Sequence, residues 1–195
     1  MTLLPVLLLG FLLQTGTSAA PAPKPPAAPS APAAPTPASP APGYHRVALG
    51  LASPLPYTVE IPDGWEARRD GSAPGMWLAP PGVKLGEDPR FVYVRLSRSS
   101  LKDPRATVAN IRKSDAADPA WSAPEVTLRE VGGVSAVLVR MDRGEGPLAR
   151  STLVLKLPWD PHSVDFTASA PRAEFDRLRP TWERIFFSIQ KRPES

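Results

Sequence analysis

Cysteine is absent from this chain. With it go disulfides, thiolate nucleophiles, Cys-based zinc or iron–sulfur sites, and the lipidated N-terminal Cys that anchors a lipoprotein. Histidine is almost absent: the only two are His45 and His162, so an imidazole-based site has little to draw on. No G-x-G-x-x-G or P-loop is present to cradle phosphate, and no G-x-S-x-G elbow is present to present a nucleophile. A large charge of one sign is also missing. Residues 1–43 carry Lys24 and no acid, which leaves 22 basic against 19 acidic residues in the rest. A net +3 dispersed along the chain is not the footprint of a nucleic-acid binder.

What the chain does have is strongly segregated. Leu3 to Leu13 (LLPVLLLGFLL) is an apolar run of signal-peptide length, and Thr17-Ser18-Ala19 supplies the small side chains a signal peptidase reads. The run is far shorter than the roughly 20 residues needed to span a bilayer. Residues 1–19 are therefore expected to be a signal peptide cleaved after Ala19, with no stable membrane span afterwards, although the stretch before the run has no Lys or Arg. Ten of the 27 prolines fall between Ala20 and Gly43. Their fixed φ favours polyproline II, so 20–43 reads as a disordered, stiff tether reaching on the order of 75 Å when extended. Residues 44–195 are left as a single α/β domain. The expected location is the periplasm or the extracellular space.

Within that domain the hydrophobic period is two over most segments. Tyr57, Val59 and Ile61 alternate with polar residues until Pro62-Asp63-Gly64 turns the chain. Trp65, just past that turn, is placed to fold back over the sheet edge. Met76 to Ala79 and Phe91 to Ser97 read as strands, the second with Val92, Val94 and Leu96 on one face and Phe91 and Tyr93 on the other, which implies cover on both sides of the sheet. Asp103-Pro104 supplies an N-cap and an N1 proline for a short helix from Arg105 to about Lys113, with Val108 and Ile111 inward. Val126 to Val131 and Val134 to Met141 form a hairpin at Gly132-Gly133. Leu153, Leu155 and Leu157, then Val164, Phe166 and Ala168, complete the alternating strands.

The closing segment changes period. Phe175, Leu178, Trp182, Ile185, Phe186 and Ile189 recur at three- and four-residue spacing, the mark of an amphipathic helix. Pro171 suits its first turn, and Pro180 predicts a kink or a restart. The fold class is accordingly α+β: an antiparallel sheet of about six to seven strands flanked by a mid-chain helix and a C-terminal helix.

The stretches YTVEIPDGW (Tyr57 to Trp65) and SAPRAEFDRLRPTWERIFFSI (Ser169 to Ile189) resemble the opening strand and turn, and the closing helix, of the PsbP/Mog1/DcrB-like superfamily of α/β/α sandwiches. The likeness runs from about Tyr57 to Ile189. It implies an assembly factor, adaptor or chaperone-like binder rather than an enzyme, and it transfers no functional residue, because the matching positions are core and turn positions.

Candidate sites follow from the remaining residues. Trp65, Arg68, Arg69, Trp77, Arg90, Tyr93 and Arg95 combine cations with aromatics, a mixture that binds acidic or planar groups, and they form the candidate binding face. The plainer alternative is that the aromatics pack the sheet and the arginines are solvated. Asp160, His162 and Asp165 carry donor types that suit a divalent metal and define the alternative class, a metal-dependent or hydrolytic enzyme. Glu87-Asp88 is an acidic pair of the kind that solvates a turn. No cofactor and no catalytic residue is expected, and the expected partner is another envelope protein or a cell-wall component, not nucleic acid.

Overall fold

In the computed structural model the described residues are 43–50, 54–69, 71, 75–84, 87–97, 101–115 and 124–192. The expected signal peptide (1–19) and nearly all of the expected tether (20–43) lie outside them. Among the described residues the chain forms ten strands in two sheets and two α-helices. The strands are β1 (Tyr44–Gly50), β2 (Pro54–Pro62), β3 (Glu66–Arg69), β4 (Gly75–Ala79), β5 (Val92–Ser97), β6 (Glu125–Val131), β7 (Val134–Arg143), β8 (Arg150–Trp159), β9 (His162–Pro171) and β10 (Gln190–Lys191). The helices are α1 (Pro104–Asp115), between β5 and β6, and α2 (Arg172–Phe187), between β9 and β10. No described helix is long and apolar enough to cross a membrane.

The main sheet has seven strands in the order β3-β4-β5-β9-β8-β7-β6, each neighbour antiparallel. The alternation read in the sequence is the alternation of its two faces. Val92 and Val94, Val164, Phe166 and Ala168, and Leu153, Leu155 and Leu157 all point to one side and are buried. On that side lies α2. Phe175, Leu178, Trp182, Ile185 and Phe186 form its buried stripe, with Phe175 edge-on to Trp182 (5.7 Å) and Phe166 edge-on to Phe186 (6.0 Å).

Pro171 is the N-cap residue of α2 rather than part of its first turn, and the helix continues through Pro180 without a restart. An interior proline removes the hydrogen bond to the carbonyl four residues back. That carbonyl belongs to Asp176, which like Pro180 is exposed, so water can take the place of the missing donor.

The opening strand is not part of the main sheet. β2 sits between β1 and β10 in a separate three-stranded sheet, with Tyr57, Val59 and Ile61 buried in the same core as α2. A cluster of charges fixes this layer to the helix. The Glu60 carboxylate accepts from Arg46 Nη2 (2.6 Å) and Arg184 Nη2 (3.0 Å), and the Glu60 amide donates to the Ser188 hydroxyl (2.8 Å). Arg46 Nη1 also donates to the Ser188 carbonyl at 3.0 Å.

The opposite face of the main sheet carries α1. Asp103 Oδ1 accepts the amides of Arg105 (2.9 Å) and Ala106 (3.0 Å), the capping read from the sequence. Val108 and Ile111 of the helix pack on a second, smaller core of Leu101, Val126, Val137, Val139 and Val154. Gly132 (φ 59°) and Gly133 (φ 78°) make the β6–β7 turn. A Cβ on Gly132 would also stand 2.7 Å from the Ile189 carbonyl, so this hairpin and the end of α2 need glycine together.

Candidate binding face

Register turns the face under α1 into rows that cross the main sheet. One row runs Arg68, Trp77, Tyr93, Thr167, Val154, Val139, Val126 from β3 to β6. The next runs Gly75, Arg95, Asp165, Lys156, Val137, Leu128 from β4 to β6. The aliphatic ends of both rows belong to β6 and β7, where α1 rests; on β8 the first row keeps an aliphatic residue, Val154, while the second carries Lys156. The aromatic and charged halves belong to β3, β4, β5 and β9.

Four of the seven candidate residues thus meet: Arg68, Trp77, Tyr93 and Arg95. The Trp77 ring lies 4.2 Å from that of Tyr93 at a 36° tilt and meets Phe91 edge-on at 5.0 Å. Tyr93 folds across Gly75, where any Cβ would run into its ring; glycine there is the condition for this stack. Arg68 Nε is 3.2 Å from Glu66 Oε1. Arg68 Nη2 and Trp77 Nε1 are buried donors that reach no acceptor among the described residues.

The other three candidates stand apart. Trp65 is half-buried and packed against the main core. Arg69 is one residue past Arg68 and therefore on the opposite face, opposite Met76 and within reach of Gly50 of β1. Arg90 lies in the loop before β5 and is held by Asp88 of the same loop, donating from Nη2 (2.6 Å) and Nε (3.0 and 3.1 Å). The hydrogen bonds from Arg90 hold the Asp88 carboxyl below its ordinary range, and Asp88 in turn raises Arg90. Glu87, the other acid of this turn, lies 3.9 Å from Lys84.

The trio Asp160, His162 and Asp165 does not assemble. His162 and Asp165 are three apart on β9, so the strand sends them to opposite faces. Asp160 is exposed in the turn, 3.7 Å from Lys102. Asp165 is 1% exposed and already engaged: Oδ2 accepts from Lys156 Nζ at 2.7 Å and Oδ1 from the Ser163 hydroxyl at 3.0 Å. Arg95 Nη2 stands 3.9 Å from Oδ2. Among the described residues no three His, Asp or Glu side chains are grouped to hold a metal.

The Lys156 ammonium is the functional group that sequence reading passed over. Its place in an alternating strand marks it only as outward-facing, and nothing in the spacing says that the strand beside it places a carboxylate opposite.

No protein-family model and no curated protein matches this chain. Solved structures do. LpqN of Mycobacterium tuberculosis, described as involved in cell envelope biogenesis, aligns over 77% of this chain and 92% of its own, with 14% identity and a TM-score of 0.52. The solution structure of CyanoP, the PsbP of Synechocystis, aligns over 76% and 92%, with 17% identity and a TM-score of 0.49. At such identity the likeness to LpqN speaks for fold alone. The class is thereby defined as an α+β protein with the fold that LpqN has. LpqN is one solved structure whose architecture this chain shares over most of both lengths.

Proposed function

We propose that the protein is an exported, non-catalytic binding or assembly module of the cell envelope, carried on the Pro/Ala tether of residues 20–43 after removal of residues 1–19. Its docking face is the half of the main sheet away from α1, with Trp77 and Tyr93 as aromatic anchors and Arg68 and Arg95 as cations. The observation that carries this reading is the row itself. Three neighbouring strands set Arg68, Trp77 and Tyr93 side by side on a face whose other half is closed by a helix. Aromatic and arginine side chains are the ones that most often anchor protein interfaces, and the Trp77 and Tyr93 side chains are only half-buried. The fold shared with an envelope-biogenesis protein agrees with this setting. The enzyme alternative has no such support: the residues it needs face opposite sides of β9.

Affinity capture tests it. Tagged full-length protein, recovered from an envelope fraction at physiological salt, should retain a reproducible set of envelope proteins. The R68Q/R95Q variant should lose that set while melting as the wild type does. Equal capture by wild type and variant, or none by either, overturns the proposal.

A further inference from the structure

Where α1 stops covering the main sheet, a cleft of about 340 Å³ opens between the helix and β5, β9, β8 and β7. That volume is at the low end of the range for small-molecule sites. Its walls divide by chemistry. Ile111 of α1 with Val139, Met141 and Val154 of the sheet form an apolar trough. Arg95, Lys156 and the buried Asp165 form the other end. Lys156 is committed to Asp165 by a 2.7 Å hydrogen bond, whereas Arg95, 56% exposed, stands beyond hydrogen-bonding distance at 3.9 Å. Two cations against one carboxylate leave a single positive charge at the mouth of an apolar trough.

We infer that this cleft binds a fatty carboxylate, a single aliphatic chain with a monoanionic head. The chain lies along Ile111, Val139, Met141 and Val154. The carboxylate meets the Arg95 guanidinium, whose planar fork matches two oxygens. With Asp165 neutralised by Lys156, Arg95 makes the site selective: a cationic head would gain nothing from Arg95, and an uncharged one would leave its donors unmet. The site shares Arg95 with the proposed docking face but needs no partner protein, so it stands or falls separately from that proposal.

Titration calorimetry on the delipidated, purified chain tests the inference, with dodecanoate held below its micelle concentration. Dodecanoate should bind at one saturable site, at least tenfold more tightly than dodecanol, and dodecyltrimethylammonium should not bind. R95Q should weaken dodecanoate about tenfold, the equivalent of one charge-assisted hydrogen bond, and leave dodecanol unchanged. M141W should fill the trough and abolish binding. Because Arg95 is exposed, R95Q reports on the site even if M141W fails to fold. No saturable binding, equal binding of dodecanoate and dodecyltrimethylammonium, or indifference to R95Q would overturn the inference. Dodecyl phosphate binding more tightly than dodecanoate would assign the site to a phosphorylated head instead and overturn it as stated.

Discussion

The two faces of the seven-stranded sheet are built from the same strands and differ in almost everything else. On one, the row Met76, Val94, Phe166, Leu155, Leu138 is apolar from β4 to β7 and is closed by α2 and the small sheet. On the other, the row shifted by one residue changes from aliphatic to aromatic and charged halfway across, where α1 ends. A strand alternates its side chains whatever the fold requires, so the difference lies in what covers each face. The first face holds the protein together. Among the described residues α1 covers only part of the second, and the part beyond it is where polar donors, aromatics and a buried ion pair collect.

The largest effect expected from breaking this contrast is on the closed face. Phe186 is fully buried against Phe166, and F186A should cost about 3–5 kcal/mol in urea denaturation. By comparison R179A, which removes only the 2.7 Å pair with Glu183 on the outward side of α2, should cost well under 1 kcal/mol.

On the open face the largest loss should come from the ion pair. K156M leaves the Asp165 carboxylate buried without its short partner and should cost about 1.5–3 kcal/mol. K156M/D165N, measured the same way, should recover part of that loss, because the orphaned charge and not the missing contact is what destabilises. A double variant less stable than K156M would show that Asp165 is held by something other than Lys156.

How far the sequence foretells this division can be judged strand by strand. The closed face is legible because burial on one side imposes the alternation at Val164, Phe166 and Ala168, and the 3.6 period of α2 is just as explicit. β1 is less so, since His45 and Arg46 mask the Val47 and Leu49 alternation behind a proline-rich segment. β3 escapes because Glu66-Ala67-Arg68-Arg69 has no apolar period at all; it is a strand by virtue of pairing with β4. The candidate site was half legible. Composition near Trp77 and Tyr93 singled out β4 and β5, but only register separates Arg68 from Arg69, and only the fold takes Arg90 away to Asp88. The Glu60–Arg46–Arg184 cluster, spanning 124 residues from Glu60 to Arg184, leaves no local trace.

A smaller effect concerns the seam between the two sheets. The Tyr57 hydroxyl donates to the Pro158 carbonyl at 2.9 Å, and burial raises its pKa above the ordinary phenol value. A raised pKa contributes stability that is complete below the unfolded value, about 10, and is lost as pH rises through the folded one. At pH 8, Y57F should be about 1 kcal/mol less stable than the wild type. The gap should close as the pH is taken towards 11. Urea midpoints for both proteins across that range check it, and a gap that stays constant would mean that the phenol is not desolvated.

The contrast between the faces comes down to two tryptophans. Trp182, on the inner face of α2, is fully buried, and Trp77 is half-buried in the aromatic row on the other side of the sheet. Urea denaturation of W182A and W77A, side by side in the full-length protein, measures what each face contributes to stability. The account predicts a loss of about 3–5 kcal/mol for W182A and of about 1 kcal/mol for W77A, the worth of its aromatic contacts. Equal losses at the two positions would contradict it, because Trp77 would then be core and the open face no face at all.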